Sequence, residues 1–306
     1  MRRKILILGG GGFIGGYLNR FFTANGWDVF IAEAYENSGP SWFTVDITDR
    51  AAVNRMVRDL KPDALVNTAA ISDIDLAERE KELARRINVE GAEYAAEACA
   101  ASRARHIFFS SDAVFDGEKG GYREEDLPAP VNFYGRTKME AEKVVLAACP
   151  SAAVIRISLI LGYSPEGRRK NFLDVISGKL KSGEEILCPV EEVRTPLDVY
   201  TLAECILELA ANRFQGIMHL GATSAASRFD LARRIAENSG YPADSIRRQV
   251  RDSEGGNRAP RHKNGVLDVA KARRILYTPL PSAEEAVRRA LKEEKTGGGT
   301  EWKNPE

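Results

Sequence analysis

Tyr134 and Lys138 are the two residues whose types and spacing most directly indicate chemistry. They stand four positions apart in segment 134–138, and residues four apart lie on one face of a helix. A free tyrosine has a pKa of about 10, and a neighbouring ammonium group lowers it by favouring the phenolate. The spacing therefore predicts a tyrosine that donates and accepts a proton near neutral pH. An ordinary surface Tyr/Lys pair is the alternative.

Two adjacent serines provide a second polar group for the same chemistry. Ser110 and Ser111 follow the apolar run 107–109. Neighbouring residues of a strand point to opposite sides of a sheet. We therefore expect only one of the two hydroxyls to face a bound cofactor.

A glycine run near the start of the chain predicts a phosphate site. The apolar run 5–8 leads directly into glycines at positions 9–12, and Gly9, Gly12 and Gly15 have the spacing G-x-x-G-x-x-G. Glycine permits a tight turn and a close approach of a pyrophosphate, and the N-terminus of the next helix then faces the anion. A flexible glycine loop is the alternative.

The elements that must position these residues alternate between strands and helices. Strands are predicted at 5–8, 28–32, 41–45, 64–67, 107–110 and 154–157. Helices are predicted at 12–25, 50–60, 78–101, 133–148, 168–181, 197–212, 229–239 and 282–294. This alternation indicates an α/β fold, a doubly wound parallel sheet of the Rossmann type.

The same pattern loosens after residue 160 and predicts a second, discontinuous domain. We expect a dinucleotide-binding domain over 1–160, to which about 190–220 return. A smaller substrate-binding domain would comprise about 161–189 and 221–292, followed by a flexible tail over 293–306.

Composition excludes several classes of partner. Lys and Arg together number 44, as do Asp and Glu, so the net charge is zero. That balance argues against a nucleic-acid or membrane surface. The four cysteines form no close pair, which predicts reduced thiols, a cytoplasmic protein and no metal site.

The order of glycine turn, strand-end serine, tyrosine and lysine resembles the extended short-chain dehydrogenase/reductase family. Within that family the chain is most similar to the dTDP-4-dehydrorhamnose reductase group. The resemblance covers roughly residues 4–290, and the segments that carry it are 66–70, 87–91, 110–117, 134–138 and, imperfectly, 260–268.

The resemblance implies a catalytic role for three residues. Ser111 would hydrogen-bond the substrate carbonyl, Tyr134 would donate the proton, and Lys138 would activate the tyrosine and anchor the cofactor ribose. A nicotinamide cofactor would supply the hydride. The implied cofactor-binding residues are Gly9, Gly12, Phe13, Ile14, Gly15, Glu33, Asp46, Ile47, Ala69, Ala70, Asn88, Tyr134 and Lys138.

Glu33 bears on the choice of cofactor. It follows Gly15 by 18 residues, and an acid near this spacing can accept hydrogen bonds from the ribose hydroxyls and repel the extra phosphate of NADP. We therefore expect NAD to be preferred, with NADP possible. An exposed loop carboxylate is the alternative for Glu33. For Asp46, which the family places at the adenine edge, the alternative is a helix N-cap.

The expected substrate residues are Asp112, Ala113, Leu159, Arg194 and Arg261. Either arginine could bind a nucleotide diphosphate bidentately, and a surface salt bridge is the alternative. The rhamnose reductases usually have tyrosine at the position of Ala113 and tryptophan at that of Leu159. These departures speak against dTDP-4-dehydrorhamnose as substrate.

Three functions remain open at this point. The preferred one is reduction of a 4-keto group on a nucleotide-linked sugar. A nucleotide-sugar epimerase needs little beyond the same residues, whereas a dehydratase would need a glutamate at Ala113. The third is a non-catalytic, cofactor-binding regulatory subunit like that of methionine adenosyltransferase. Analogy also suggests a homodimer through the predicted helices 78–101 and 133–148.

Overall fold

The centre of the protein is a parallel sheet of seven strands. This computed structural model describes residues 2–35, 39, 41–164, 170–249 and 258–292. The sheet has the order β11-β6-β5-β4-β1-β2-β3. Its strands are β1 (Lys4–Leu8), β2 (Asp28–Glu33), β3 (Trp42–Thr44), β4 (Ala64–Asn67), β5 (Arg105–Ser111), β6 (Ala153–Ile157) and β11 (Gly216–Leu220).

Helices cover both faces of this sheet. The helices are α1 (Phe13–Ala24), α2 (Arg50–Leu60), α3 (Ile74–Arg79), α4 (Lys81–Arg85), α5 (Gly91–Ser102), α6 (Phe133–Ala148), α7 (Phe172–Ser182), α8 (Val199–Ala211), α9 (Arg228–Asn238), α10 (Ala270–Ile275) and α11 (Ala283–Leu291). One apolar cluster joins the sheet to α1 and α8, and a second joins it to α2, α5 and α6. The predicted doubly wound α/β fold is confirmed.

A third apolar cluster lies away from the sheet. It is formed by α7, α9 and α11 together with the two-stranded pair of β8 (Ile186–Pro189) and β13 (Ile246–Gln249). Short strands complete this part of the chain: β7 (Ile160–Leu161), β9 (Val193–Arg194), β10 (Leu197–Asp198) and β12 (Ala226–Ser227). Ala272 and Leu276, inside the expected substrate domain, instead pack in the cluster with α1 and α8. The division into two domains stays a prediction.

The predicted helix over 78–101 is wrong. The chain instead forms α3, α4, a π-helical turn at Arg86–Glu90 and then α5. Asp73 starts α3 early, because its carboxylate accepts hydrogen bonds from Asp75 and Leu76 N–H groups. Glu80 has φ −108° and ψ 57°, which is not helical and separates α3 from α4. In contrast, α2, β4 and α6 have the predicted bounds.

Two later helices begin or end away from the predicted positions. Asn171 and Asp174 form a capping box, so α7 begins at Phe172, and part of the predicted helix 168–181 lies outside the described residues. Ser282 and Glu285 cap α11 in the same way. The expected tail over 293–306 also lies outside the described residues. Within the described part of the chain, no helix is long and apolar enough to cross a membrane.

Candidate active site

The glycine turn joins β1 to α1 in the way that a bound pyrophosphate requires. Gly9 has φ +78°, and a Cβ there would lie 2.8 Å from the Ala69 amide nitrogen. A Cβ on Gly15 would collide with the carbonyl oxygen of Gly9. Gly12 caps α1 without a side chain, so the first N–H groups of the helix, beginning at Phe13 and Ile14, can face an anion.

Glu33 lies at the end of β2, beside this turn. Its carboxylate is half-buried and accepts a hydrogen bond from the Gly11 N–H. The carboxylate is thus fixed next to the glycine turn, which differs from a freely exposed loop acid. A ribose hydroxyl entering here would meet an acceptor that is already oriented.

The other expected cofactor residues lie at the same end of the sheet. Asp46 is exposed and accepts two hydrogen bonds of 2.9 Å from Thr48, while Asp49 caps α2. The N-cap alternative for Asp46 is therefore wrong. Ile47 is buried, and Ala69 and Ala70 are half-buried where the chain leaves β4.

Asn88 connects the segment that follows β4 to helix α6. Its amide pairs with both backbone groups of Ile71, at 2.8 and 3.1 Å, and its Nδ2 donates to the Thr137 hydroxyl at 3.0 Å. The π-helical turn carries Asn88 into this buried position. The side chain holds the segment after β4 against α6 rather than offering free hydrogen-bonding groups.

The two serines point in different directions, as strand alternation predicts. Ser110 donates to the buried Glu142 carboxylate at 2.5 Å. Ser111 donates to Asp112 Oδ1 at 3.1 Å and accepts from the Ala113 N–H at 3.2 Å. Of the two serines, Ser111 is the one that acts on Tyr134, since it lowers the pKa of the tyrosine.

Tyr134 and Lys138 share one face of α6, which begins after the Asn132 cap. The buried Lys138 ammonium donates to the Phe109 carbonyl oxygen at 2.9 Å and lies 4.9 Å from the centre of the Phe108 ring. Burial lowers the pKa of Lys138 to about 8, against the opposing effect of the Glu142 carboxylate.

The expected low pKa of Tyr134 is not what the structure shows. Burial raises its pKa to about 12, and the Asp112 carboxylate adds to this, while the hydrogen bond with Ser111 opposes it. The physical reason is that loss of hydration disfavours a phenolate, and the Lys138 ammonium is directed to a backbone carbonyl. Without ligand, Tyr134 is therefore held as a neutral proton donor.

Asp112 follows Ser111 and is surrounded by cationic and polar groups. Its Oδ2 accepts from the Ser158 hydroxyl at 2.7 Å and lies 3.4 Å from both Arg194 Nε and His262 Nε2. Burial would raise the pKa of Asp112, but His262, Arg194 and Ser158 outweigh it and hold the value at about 2. Asp112 is thus a carboxylate at neutral pH.

Arg194 has a different position from the one expected for a diphosphate ligand. It is buried, and its guanidinium donates to the carbonyl oxygens of Val193, His262 and Lys263 at 2.7–2.9 Å. Five donors in a fixed fork are thereby largely used within the protein. The alternative of a surface salt bridge is wrong, since the pair with Asp112 is buried, and the diphosphate role of Arg194 stays a prediction.

Arg261 is likewise engaged within the protein. Its guanidinium pairs with Asp75 of α3 at 2.8 Å and donates to the Ala259 carbonyl oxygen. This salt bridge, which the sequence left as the alternative, fastens the segment before His262 to α3. Ala113 is buried next to Asp112, and Leu159 packs against the third apolar cluster.

Sequence reasoning missed two residues of this site. Glu142 stands four positions after Lys138 on α6, so the helical spacing that identified Lys138 could have found it. His262 had no such signal, because its contact with Asp112 joins positions 150 residues apart. In the described part of the chain, no cluster of His, Cys, Asp and Glu could hold a metal ion.

Comparison with known families settles the relationship of this chain. Residues 3–296 match the family described as RmlD substrate binding domain. The chain belongs to this family. The extended short-chain dehydrogenase/reductase resemblance inferred from the sequence is thereby confirmed.

Three relatives illustrate the range of the RmlD substrate-binding domain family. A dTDP-4-dehydrorhamnose reductase of Mycobacterium tuberculosis is 33% identical over 295 residues, 94% of this chain and 92% of that protein. Methionine adenosyltransferase 2 subunit beta of Pongo abelii is 30% identical over 275 residues, 88% of this chain and 81% of that protein. A dTDP-4-dehydrorhamnose reductase from Bacillus anthracis, in complex with NADP, superposes with a TM-score of 0.85 at 26% identity, covering 96% of this chain and 99% of that one.

Proposed function

We propose that this chain is an NAD(P)-dependent oxidoreductase that reduces the 4-keto group of a nucleotide-linked sugar. The observation that carries the proposal is that Ser111, Tyr134 and Lys138 lie at the same edge of the parallel sheet as the glycine turn. Ser111 ends β5 and acts on the pKa of Tyr134, and the Lys138 ammonium donates to the Phe109 carbonyl oxygen of the same strand at 2.9 Å. Reductases of the family, with 33% identity and an NADP complex among them, support it.

The residues of the chain fit a nicotinamide dinucleotide. The glycine turn and the uncapped N-terminus of α1 would hold the pyrophosphate, and Glu33 the adenosine ribose. Asp46 and Ile47 would lie at the adenine, and Ala69 and Ala70 along the cofactor. When bound, the cofactor supplies the hydride.

Each catalytic residue then has one task. Ser111 donates a hydrogen bond to the substrate carbonyl oxygen and orients it. Tyr134 transfers its proton to that oxygen as the carbonyl carbon gains a hydride, which leaves an alcohol and a tyrosinate. Lys138 is protonated below a pKa of about 8, and its ammonium stabilises the tyrosinate until solvent returns the proton.

We infer that NAD is preferred over NADP. The Glu33 carboxylate, held at the glycine turn, would accept hydrogen bonds from ribose hydroxyls and repel a 2′-phosphate. The Bacillus anthracis relative is in complex with NADP, so binding of the two cofactors must be compared directly.

The sugar itself is proposed to differ from dTDP-4-dehydrorhamnose. Alanine and leucine at 113 and 159 remove two aromatic groups that hold the sugar in rhamnose reductases. We expect that compound to be reduced with a kcat/KM below about 10⁴ M⁻¹s⁻¹, the lower end of the usual enzyme range. Steady-state kinetics above that value would contradict this prediction.

One assay separates the proposed reductase from its alternatives. The purified protein is incubated with NADH or NADPH and a panel of keto sugar nucleotides, with Ser111→Ala as the matched inactive control. Consumption of reduced cofactor by the wild type alone supports the reductase. Interconversion of sugars without net consumption would indicate an epimerase.

A regulatory, non-catalytic role is a second candidate because methionine adenosyltransferase 2 subunit beta is 30% identical. If the chain has this regulatory role, the same assay should show cofactor binding without turnover of any sugar. Retention of the Ser111–Tyr134–Lys138 set favours the enzyme.

We also propose a cytoplasmic homodimer. The dimer would use the surface around α5 and α6, where exposed Arg85 pairs with Glu90 and Glu140. Light scattering of the purified protein tests it, since a monomeric mass would contradict this assembly.

A further inference from the structure

The Asp112 carboxylate physically links the catalytic serine to a distant loop. One of its oxygens, Oδ1, accepts the Ser111 proton at 3.1 Å. The other, Oδ2, faces His262 Nε2 at 3.4 Å, although 150 residues separate the two in sequence. A change at His262 can therefore reach Ser111 through a single side chain.

His262 occupies a site that is shaped for an imidazole. A Cβ on Gly265 would lie 2.5 Å from His262 Nε2 and 2.8 Å from Asp112 Oδ2. A Cβ on Gly117 would lie 2.8 Å from His262 Cβ. Arg194 fixes the backbone of the same loop by donating to the carbonyl oxygens of His262 and Lys263 at 2.9 and 2.7 Å.

The imidazole is buried without an ordinary hydrogen bond. Its side chain is only 4% exposed, and both ring nitrogens lack a hydrogen-bond partner among the described residues. An unsatisfied buried polar group costs about 1–3 kcal/mol. An ion pair between the Asp112 carboxylate and a protonated His262 ring can offset this cost.

Ser111 has one proton and two competing acceptors. In the absence of substrate the proton is directed to Asp112 Oδ1. Reduction requires the same proton for the substrate carbonyl, since a hydroxyl has a single donor. A cation at Oδ2 weakens Oδ1 as an acceptor and so releases the Ser111 proton for the substrate.

We propose that His262 is a positioning residue, which forms a buried ion pair with Asp112 and thereby directs the Ser111 hydroxyl toward the substrate. The proposal deepens the reductase function above and rests on it. His262 itself contacts neither substrate nor reacting atoms in this account.

The other charged and polar groups around the Asp112–His262 pair come from several elements, and none of them takes over the proposed role of His262. Arg194 of β9 is a permanent cation that is shared with backbone carbonyls and lies 3.9 Å from Glu192. Glu192 in turn pairs with Arg228 of α9 at 2.8 Å. On the remaining sides lie the neutral hydroxyls of Ser158 and Tyr134.

Histidine NMR of the protein without ligand tests the ion pair independently of any substrate. The chain has three histidines, and burial lowers the pKa of His106 and of His219 to about 3. His262→Gln identifies the imidazole signal of His262, because that signal is the one the substitution removes. We expect Asp112→Asn to lower its titration midpoint by about one pH unit or more.

A second substitution near the carboxylate and a control substitution complete this NMR experiment. Ser158→Ala removes one hydrogen bond from Asp112 Oδ2 and should raise the titration midpoint of the His262 imidazole. This variant tests the ion pair even if Asp112→Asn does not fold. Lys263→Gln changes an exposed side chain of the same loop and should leave the midpoint unchanged. A midpoint that neither Asp112→Asn nor Ser158→Ala moves would overturn the ion pair.

Kinetics of His262→Gln test the effect on Ser111. We expect kcat for keto-sugar reduction to fall about 10-fold, as for loss of a contribution near 1.4 kcal/mol, with the KM for reduced cofactor unchanged. The pH dependence of kcat near the NMR midpoint should disappear as well. Wild-type kcat with an unchanged pH profile would overturn the positioning role. If the wild type reduces no keto sugar, the proposed reductase function is wrong. The NMR titration alone then tests the Asp112–His262 ion pair.

Discussion

We propose that Glu33 decides the choice between the two nicotinamide cofactors. Its carboxylate is held by the Gly11 N–H at the start of the phosphate-binding turn. A 2′-phosphate placed beside it would bring two anions together in a partly desolvated pocket. Like charges in such a place cost several kcal/mol, so a single side chain can decide specificity.

We predict that NADH binds the wild-type protein at least ~10-fold more tightly than NADPH, because each 1.4 kcal/mol is about tenfold in affinity. Glu33→Ala should gain affinity for NADPH, and Glu33→Gln, which keeps the size of the side chain, should gain it as well. Fluorescence titration of both cofactors measures this. Equal binding of NADH and NADPH to the wild type would place Glu33 away from the ribose.

Helix α6 is the element that brings the proposed catalytic groups together. Tyr134, Lys138 and Glu142 follow one another at four-residue spacing along it. At the far end of this row, Glu142 is paired bidentately with Arg156 of β6 at 2.7 and 2.8 Å, and both side chains are buried. The ion pair fixes α6 against the sheet and places an anion one turn from the Lys138 ammonium.

Glu142→Gln should destabilise the protein by about 3 kcal/mol, because removal of one partner leaves a buried guanidinium uncompensated. Urea denaturation at pH 7 measures the change in the free energy of unfolding. Glu97→Gln is the matched control, since its partner Arg50 is 60% exposed and such pairs contribute only about 0–1 kcal/mol. Adding Arg156→Met to Glu142→Gln should recover much of the loss. Equal stability of both single variants would show that the buried pair contributes nothing.

Features of the fold that depend on neighbouring residues were predicted from the sequence more accurately than features without a local signal. The bounds of α2 and α6 follow from local signals, an apolar pattern preceded by Asp49 or Asn132 as N-cap. The division of the predicted helix 78–101 depends on the backbone of Glu80, for which the sequence has no comparable signal. The order of glycine turn, serine, tyrosine and lysine identified the candidate catalytic residues.

The partners of the two arginines could not be predicted in the same way. Arg261 pairs with Asp75 across 186 positions, and Arg194 donates to the His262 carbonyl oxygen across 68. Such contacts exist only after the sheet and the later segments have come together. Residue type and the resemblance to the family suggested a diphosphate ligand, but neither could predict that both side chains pair within the protein.

At the scale of the whole molecule, two buried histidines make stability sensitive to acid. Burial lowers the pKa of His106 and of His219 from 6.5 to about 3, and the neighbouring Arg105 and Arg156, respectively, add to the shift. Between these values the unfolded chain binds more protons than the folded one. Stability is therefore retained above pH 6.5 and is lost as the pH falls toward 3.

We predict that the free energy of unfolding falls by about 1.4 kcal/mol per pH unit for each of these histidines below pH 6. Urea denaturation at pH 7, 6 and 5 measures the slope, in a range where most carboxylates stay ionised. His106→Gln should reduce the slope by about half, whatever its effect on stability at pH 7. The same slope in this variant would mean that His106 is protonated in the folded state.

The most direct test of the proposed reductase is the effect of Tyr134→Phe on turnover. The substitution removes the proton donor and keeps the ring, so kcat for reduction of a keto sugar nucleotide should fall at least ~100-fold, the usual contribution of general acid catalysis. Binding of the reduced cofactor, measured in the same preparation, should change little. Near-normal turnover by Tyr134→Phe would contradict the account, because the proposed mechanism assigns the proton transfer to the Tyr134 hydroxyl.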